Sequence, residues 1–294
     1  MNERPAWLSA EGATIMAIVN VNADSFSDPR ADHSSDERIT VARAAVTDGA
    51  AVIDLGAQSA ATHLPLVDPA KEVGALAPVV AALVGDGAAV SIDTYKPEVA
   101  GPMLDLGATI INDYSGLEHP EVAEHVADTG AWYVLTHNRS RPKQRLTEPA
   151  RYADVTADVI AFFTDALTRI ERLGLPAERV VLDPGVDLSK TPAQTMTVLR
   201  EVDRIAEALP NPQLWAVSRK DVLGVITGRP PARRDAGTLA LVGHLAGRPD
   251  TLLRVHDVRG TADYLAVHRV LTGSDDLGPD DLLDPALYRE TGPT

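Results

Sequence analysis

The stretch of sequence that decides the fold is AVSIDTYKPEVAGPMLDLGATIIN, residues 89–112. A short apolar run ends at Asp93, a helical pattern opens at Pro97 and stops at Gly107, and a second apolar run ends at Asn112. Continuously apolar runs are typical of parallel strands buried on both faces, and proline in the first helical turn with glycine after the last is the usual mark of helix ends. The stretch therefore predicts a strand, a crossover helix and a second, parallel strand.

The same alternation runs along most of the chain. Eight apolar, β-branched runs are separated by helical patterns, and each run stops at a polar or charged side chain: Asn20, Asp54, Asp93, Asn112, His137, Asp183, Ser218 and, in the last run, Arg254 with His256. This pattern predicts an α/β fold of the (β/α)₈ or TIM barrel type. We expect a single domain over residues 13–272, with residues 273–294 as a loosely attached C-terminal extension. An open doubly wound sheet is the alternative, but no G-x-G-x-x-G turn follows the first run.

The length and hydrophobic content of the chain are consistent with a single domain, and its net charge argues against some classes of partner. The 294 residues are 45% hydrophobic, enough for a sizeable core, and the net charge of −15 argues against nucleic acid or an anionic membrane as a partner. The absence of cysteine excludes disulfides and thiolate metal sites. No apolar run approaches the roughly 20 residues of a membrane span, and the first residues do not resemble a secretory leader, so we expect a cytoplasmic protein.

The polar strand ends predict an active site, because a parallel barrel gathers the C-terminal ends of its strands around one mouth. Asp93, Asn112 and Asp183 each follow an apolar run directly, so we expect them at the rim of the interior, where an unpaired carboxylate is costly. A flat heterocycle with adjacent N–H donors, such as the edge of a pterin or a guanine, would satisfy all three. The alternative is a structural charge network with Lys220 and Arg254.

Polar residues at the ends of the first strand and of the last two strands predict contacts to a ring and to an anion. Lys220 can donate to a ring nitrogen or carbonyl, and Arg254 can stack on a heteroaromatic face. Arg254 and His256 are two positions apart on a strand and share a face, which suits a phosphate or pyrophosphate. The alternative is an Arg bound to a carboxylate and a His satisfied by backbone. Asn20 is a candidate ligand for Mg²⁺, whereas Asp54 is interpreted as a turn cap.

Seven stretches of the chain resemble dihydropteroate synthases, a branch of the pterin-binding barrels, and the resemblance covers about residues 13–272. In order they are IMAIVNVNADSFSD from Ile15, GAAVIDLG from Gly49, SIDTYKPEVA from Ser91, GATIINDYSG from Gly107, LDPGVDLSKT from Leu182, SRK from Ser218 and RVHDV from Arg254. The resemblance implies a homodimeric enzyme that joins p-aminobenzoate, or a related aryl amine, to the hydroxymethyl carbon of a dihydropterin pyrophosphate and releases pyrophosphate.

Carried over position by position, the resemblance gives each strand-end residue a role. The pterin edge would be bound by Asp93, Asn112, Asp183 and Lys220, with Arg254 stacked on the ring. The catalytic residues would be Lys220, Arg254 and His256. The magnesium and pyrophosphate end would consist of Asn20, Arg254 and His256, and Ser218 would face the aromatic amine.

The chain departs from the family pattern where the second substrate is expected. After Gly56 the family usually has Gly-Glu-Ser-Thr-Arg-Pro-Gly, but here Ala61 replaces the Arg that helps to hold pyrophosphate and Thr62 replaces the Pro beside the amine pocket. Leu188 replaces an aromatic that would pack against p-aminobenzoate, and Asp187 adds a charge beside it. Further replacements are Asn22, Ala23, Thr136, Asn138 and Ser189. These departures indicate a divergent member of the family.

Three alternatives to an ordinary synthase follow from these departures and from the related folds. A divergent paralogue would bind a pterin but use a different acceptor. A non-catalytic pterin-binding or assembly protein would have lost the chemistry together with the Arg. A methyl-tetrahydrofolate to corrinoid methyltransferase uses a related barrel, but Ser218 to Lys220 and Arg254 to Asp257 favour the synthase branch.

Overall fold

The chain forms a closed barrel of parallel strands in a computed structural model that describes residues 4–21, 34–58, 66–142, 144, 148, 151–278, 280–284 and 287. Each strand pairs with the next, and the last pairs with the first. The strands are β1 Thr14–Asn20, β2 Val52–Gly56, β3 Ala89–Asp93, β4 Ile110–Asp113, β5 Trp132–Thr136, β6 Val180–Asp183, β7 Gln213–Trp215 and β8 Thr251–Val255. The predicted (β/α)₈ barrel is confirmed.

Helices follow the strands in the chain. They are α1 Ser35–Thr47, α2 Pro69–Gly85, α3 Pro97–Asp105, α4 Pro120–Ala127, α5 Val155–Arg172, α6 Pro192–Arg200, α7 Val202–Ala208, α8 Asp221–Thr227, α9 Asp235–Leu245 and α10 Val258–Thr272. Ser34 and Thr191 cap α1 and α6 through capping boxes, and the Asp68 side chain caps α2. Within the described ranges, no helix combines the length and the apolar character needed to cross a membrane.

The helices differ from the sequence prediction at one internal break and at several starting residues. The pattern from Thr191 to Leu209 predicts one helix, but α6 and α7 are separated at Glu201, whose φ of −100° and ψ of 26° leave the helical region. The apolar pattern continues across this break because a single non-helical residue barely changes which face is buried. The sequence pattern predicts helix starts at Ile39, Thr238 and Ala262, but α1, α9 and α10 begin three or four residues earlier, at Ser35, Asp235 and Val258. None of these differences alters the barrel.

The barrel interior has an apolar floor below a polar mouth. The floor is a buried cluster of Leu8, Met16, Val52, Ile110, Val134, Val181, Leu214, Ala216 and Leu252. Because side chains alternate along a strand, residues two positions further on point into the same interior, one layer higher. Those positions include Asp54, Asn112, Thr136, Asp183 and Arg254. The strand register therefore stacks a polar layer directly on the apolar one.

The N-terminal segment covers the end of the barrel that lies opposite the mouth. Leu8 is 5% exposed and belongs to the floor cluster. Trp7 packs edge-on against Trp132 at the start of β5, with ring centroids 5.4 Å apart. The backbone N–H of Asp250 donates to the carbonyl of Ser9, which ties the segment to the start of β8. Trp132 is thus a packing residue.

Several predictions concern residues outside the described ranges. They include the replacements Asn22 and Ala23, between β1 and α1 in the sequence, and Ala61 and Thr62, between β2 and α2. At the other end, α10 stops at Gly273, whose φ of 74° forms a left-handed cap. The leucines described beyond it, among them Leu277 and Leu282, are exposed.

Candidate active site at the strand ends

A cavity of about 80 Å³ lies at the mouth of the barrel. Its lining residues are Asp93, Asn112, Tyr114, Thr136, Asp183, Val186, Leu188, Ala216, Lys220 and Arg254. Five of them are the residues that the sequence predicts for a heterocycle site. They come from strands β3, β4, β6 and β8 and from the start of α8, so the barrel register brings together positions up to 161 residues apart in sequence.

Arg254 is held between two carboxylates. Its Nε donates to Asp54 Oδ2 at 2.6 Å, and its Nη2 donates to Asp93 Oδ2 at 2.7 Å. Burial lowers the pKa of Arg254, but Asp54 and Asp93 raise that pKa by more, so the guanidinium remains charged. Burial raises the pKa of Asp93, and the charge of Arg254 opposes that rise. The two ion pairs fix the guanidinium at the cavity wall.

Asp54 is the site residue that the sequence interpretation misses. Its side chain is fully buried, and besides Arg254 it accepts from Ser91 Oγ at 2.6 Å and from Asn112 Nδ2 at 3.3 Å. It therefore connects two of the predicted pterin-binding residues, Arg254 and Asn112, and it does not cap a turn. The available signal is that the apolar run continues through Leu55, which places Asp54 within a strand.

Asp183 and Lys220 lie on the opposite side of the cavity. Asp183 accepts from the backbone N–H of Gly185 at 2.8 Å. Burial raises the pKa of its carboxyl, and the N–H of Gly185 and the charge of Lys220 oppose that rise. Lys220 Nζ donates to the carbonyl of Val186 at 3.1 Å. The turn after β6 thus sets the position of the Lys220 ammonium.

Ser218 and His256 are paired with each other beside the cavity and are not among its lining residues. Ser218 Oγ accepts from the backbone N–H of His256 at 3.2 Å and lies 2.8 Å from His256 Nδ1. Burial, with the nearby charges of Arg219 and Arg254, lowers the pKa of His256 to about 4. The imidazole is therefore neutral near pH 7, and its Nε2 carries the proton if Nδ1 accepts from Ser218.

Asn20 is the last residue of β1 and pairs with Gly56 of β2. It belongs to the same alternate series as Met16 of the floor, so its backbone position directs it toward the mouth. A carboxamide oxygen at this position fits Mg²⁺, which is commonly held by few protein groups together with phosphate oxygens and waters. Among the described residues, no group of three or more histidine or carboxylate side chains forms an all-protein metal cage.

The turn after β6 shows how the divergent positions are arranged. Leu188 lines the cavity where the resemblance places an aromatic. Asp187 does not add a charge to the pocket, contrary to the sequence interpretation. Its φ is 64°, and its Oδ2 accepts from the backbone N–H of Val222 at 3.3 Å, in the first turn of α8. The carboxylate is directed to a helix end, where its charge is favourable.

Two other divergent positions bind each other. Ser189 Oγ donates to Asn138 Oδ1 at 2.7 Å, and Ser140 Oγ donates to the same oxygen at 2.8 Å. Asn138 Nδ2 donates to the carbonyl of Tyr114 at 3.0 Å. The replacements at 138 and 189 are therefore a matched pair that joins the loops after β5 and β6.

Comparison with known proteins identifies the family of this chain. The family profile described as "Pterin binding enzyme" matches residues 16–256. The chain is 34% identical over 259 residues to the type-3 dihydropteroate synthase of Escherichia coli, covering 87% of this chain and 98% of that protein.

Solved structures indicate the same family. Xanthomonas albilineans dihydropteroate synthase with 4-aminobenzoic acid superposes with a TM-score of 0.80 at 32% identity, covering 88% of this chain and 93% of that one. The same enzyme in complex with 7,8-dihydropteroate gives a TM-score of 0.78 at 32% identity, covering 90% and 95%. The chain therefore belongs to the pterin-binding enzyme family and, within it, to the dihydropteroate synthases.

Proposed function

We propose that this protein is a transferase that condenses a dihydropterin pyrophosphate with p-aminobenzoate or a related aryl amine. The observation that carries the proposal is the single cavity that Asp93, Asn112, Asp183, Lys220 and Arg254 line together. Two carboxylates and a carboxamide can accept the N–H groups of a pterin edge, while Lys220 donates to a ring acceptor. The relatives solved with 4-aminobenzoic acid and with 7,8-dihydropteroate support these substrate classes.

The reaction needs orientation and charge stabilisation rather than a protein nucleophile. The bond between the exocyclic carbon and the pyrophosphate oxygen breaks, the amine nitrogen forms a bond to that carbon, and the amine loses one proton. Asp93, Asn112 and Asp183 hold the ring so that this carbon faces the amine. Arg254, fixed by Asp54, lies at the wall where its guanidinium can stack on the ring and stabilise the departing anion.

We assign the pyrophosphate end to Asn20, Arg254 and His256. The neutral His256 can donate a hydrogen bond from Nε2 to a phosphate oxygen while Ser218 holds its other nitrogen. Asn20 would hold Mg²⁺, which neutralises charge on a diphosphate leaving group when it is bound. The proposal includes a homodimer in the cytoplasm, and light scattering on the purified chain tests the dimer.

The decisive experiment incubates the protein with Mg²⁺, dihydropterin pyrophosphate and a panel of aryl amines and identifies products by mass spectrometry. We expect a pteroate-type product and an equal amount of pyrophosphate. Saturable pterin binding without pyrophosphate release would instead identify a non-catalytic pterin-binding protein. The Asp183→Asn variant serves as the control for reaction at this cavity.

One observation favours a second candidate, in which the acceptor is an aryl amine other than p-aminobenzoate. Leu188 lines the cavity at the position of the expected aromatic, so the acceptor wall is aliphatic. An aromatic contact contributes about 0.5 to 1.5 kcal/mol beyond area burial, and p-aminobenzoate loses that contribution here. A higher kcat/KM for another amine in the same panel would establish this candidate.

A further inference from the structure

Lys190, two residues before α6, is buried behind the active-site cavity with 2% of its surface exposed. Its Nζ lies 2.8 Å from His137 Nδ1, 3.1 Å from the carbonyl oxygen of Gly185 and 3.2 Å from that of Leu188. An ammonium group carries three N–H donors, so these three acceptors use all of them. The lysine thus joins the end of β5 to two carbonyls of one turn.

The protonation of His137 follows from its two partners. Its Nε2 lies 2.9 Å from Asp158 Oδ1, and Arg139 binds the same carboxylate through Nε and Nη2. His137 Nε2 therefore donates to the carboxylate, and Nδ1 accepts from Lys190. Burial, with the charge of Lys190, lowers the pKa of His137 to about 3, so the ring is a neutral acceptor near pH 7.

The turn that Lys190 binds forms part of the cavity wall. Val186 and Leu188 both line the cavity, and the carbonyl of Val186 accepts from Lys220 Nζ. The turn closes on itself through the Leu188 N–H, which donates to the Gly185 carbonyl at 3.0 Å. A Cβ at Gly185 would clash with the carbonyl oxygen of His137, so this position of the turn requires glycine.

We propose that Lys190 is a positioning residue for the acceptor side of the pocket, which holds Val186 and Leu188 in place by donating to the turn carbonyls and to His137. This role rests on the proposed function, because it assigns the wall formed by Leu188 to the aryl amine. Of the proposed pterin contacts, Asp93 and Asn112 lie on strands that Lys190 does not touch. Asp183 and Lys220 contact the turn only through its backbone, whereas the side chain of Leu188 forms the amine wall itself. Loss of the lysine therefore weakens the amine more than the pterin.

The number of donors on Lys190 depends on pH. Burial lowers the pKa of Lys190 to about 7, against the charges of Asp183 and Asp158, which raise it. Four other charged or titratable groups surround Lys190. They are His137, which follows β5, Arg139, which binds Asp158, and the side chains of Asp187 and Lys220. A neutral amine has two N–H donors, so one of the three acceptors loses its bond. The turn is held most firmly below about pH 7 and loosens as the pH rises.

Hydrogen exchange on the unmodified protein tests the contact without any assay of activity. After correction for the intrinsic rate, the amide of Leu188 should lose about fivefold in protection between pH 6 and pH 8.5, the equivalent of one hydrogen bond. Amides of β2, which lies opposite β6 in the closed barrel, serve as the internal reference. Equal protection at both pH values would overturn the proton-dependent role, whether or not the protein proves to be a synthase.

Steady-state kinetics of variants test the consequence for the substrates. Lys190→Met should raise the KM for p-aminobenzoate about fivefold or more while raising the Kd of the pterin by a smaller factor, because Asp93 and Asn112 still hold the ring. Lys71→Met, on the exposed side of α2, is the matched control. Lys190→Arg keeps a charge that does not titrate, so its KM for the amine should be independent of pH between 6 and 8.5.

Equal losses for amine and pterin in Lys190→Met, or an unchanged KM, would overturn the positioning role. If Lys190→Met does not fold, the pH profiles of Lys190→Arg and of the unmodified protein decide instead. A KM that rises with pH in both proteins would overturn the role, and a rise in the unmodified protein alone would support it.

Discussion

The two sides of the cavity are built in different ways. The side formed by β2, β3, β4 and β8 is a network of charged and polar side chains, in which Asp54, Asp93 and Arg254 pair directly. The side formed by the turn after β6 is held by backbone carbonyls that accept from Lys190 and Lys220. The first side therefore depends on side-chain identity at strand positions, and the second depends on the conformation of a turn.

This difference explains where the chain departs from the family pattern. On the strand side, replacing one member leaves a buried charge without its partner, so substitutions are costly. In the turn, the side chains of Asp187 and Leu188 can change while the carbonyls of the turn remain available. Three of the divergent positions in the described chain, 187–189, lie in this turn, and a fourth, Asn138, binds the turn through Ser189. A pocket of this kind can keep its heterocycle site while its acceptor wall varies.

The strongest test of the comparison breaks the charged network at Asp54. Asp54→Asn keeps the shape but leaves Arg254 with Asp93 alone, and breaking a buried pair costs about 3 to 5 kcal/mol. We expect a loss of this order in the free energy of unfolding, measured by urea denaturation, together with weaker pterin binding by calorimetry. Asp105→Asn, at the exposed end of α3, is the control. A loss below about 1 kcal/mol would mean that the network is dispensable.

Acidification tests whether His256 is neutral in the folded chain, as its proposed role at the pyrophosphate end requires. Its pKa is about 4 in the folded chain and about 6.5 when unfolded, so between these values the unfolded state binds the extra proton. The contribution of His256 to stability is therefore present above pH 6.5 and declines by about 1.4 kcal/mol per pH unit down to pH 4. His256→Gln should lack this decline, so we compare unfolding of the two proteins at each pH. Parallel curves would mean that His256 titrates normally.

Asp183→Asn tests the charged contact to the pterin without breaking an ion pair. Hydrogen bonds to charged groups contribute about 1.5 to 3 kcal/mol, so calorimetry should show a loss of that size in pterin affinity. Because Asp183 also accepts from Gly185 N–H, circular dichroism and the unfolding midpoint must first show an intact fold. An unchanged affinity would remove Asp183 from the pterin site.

The smallest expected effect is a gain on the turn side. Leu188→Phe restores an aromatic wall and should strengthen p-aminobenzoate or sulfonamide binding by about 0.5 to 1.5 kcal/mol. Asp187→Gly should not add to this gain, because the Asp187 carboxylate faces the start of α8. Titration of both variants against the unmodified protein measures the difference, and Leu282→Phe on the exposed extension is the control. A gain from Asp187→Gly alone would place that charge in the pocket after all.

The sequence predicts the barrel and most of the cavity because both depend on simple periodicity. Apolar runs fix the strands, and alternation along them directs Asp93, Asn112, Asp183 and Arg254 into the same interior. The sequence analysis misses the role of Asp54 because a charged residue in one short apolar run does not show where the strand ends. Lys190 escapes because its three acceptors are backbone and ring atoms, which no residue pattern specifies. Asp187 has a positive φ, which Asp adopts more readily than most non-glycine residues, but this preference does not show where its carboxylate points.

The N-terminal segment has a consequence for how the catalytic unit is delimited. The family profile begins at residue 16, yet Leu8 seals the barrel and Trp7 packs on Trp132 from outside that match. A fragment cut at the profile boundary would expose Met16, Val52 and Leu252 to water. The folding unit of this chain therefore includes residues that precede the range matched by the family profile, because these residues close the end of the barrel opposite the mouth.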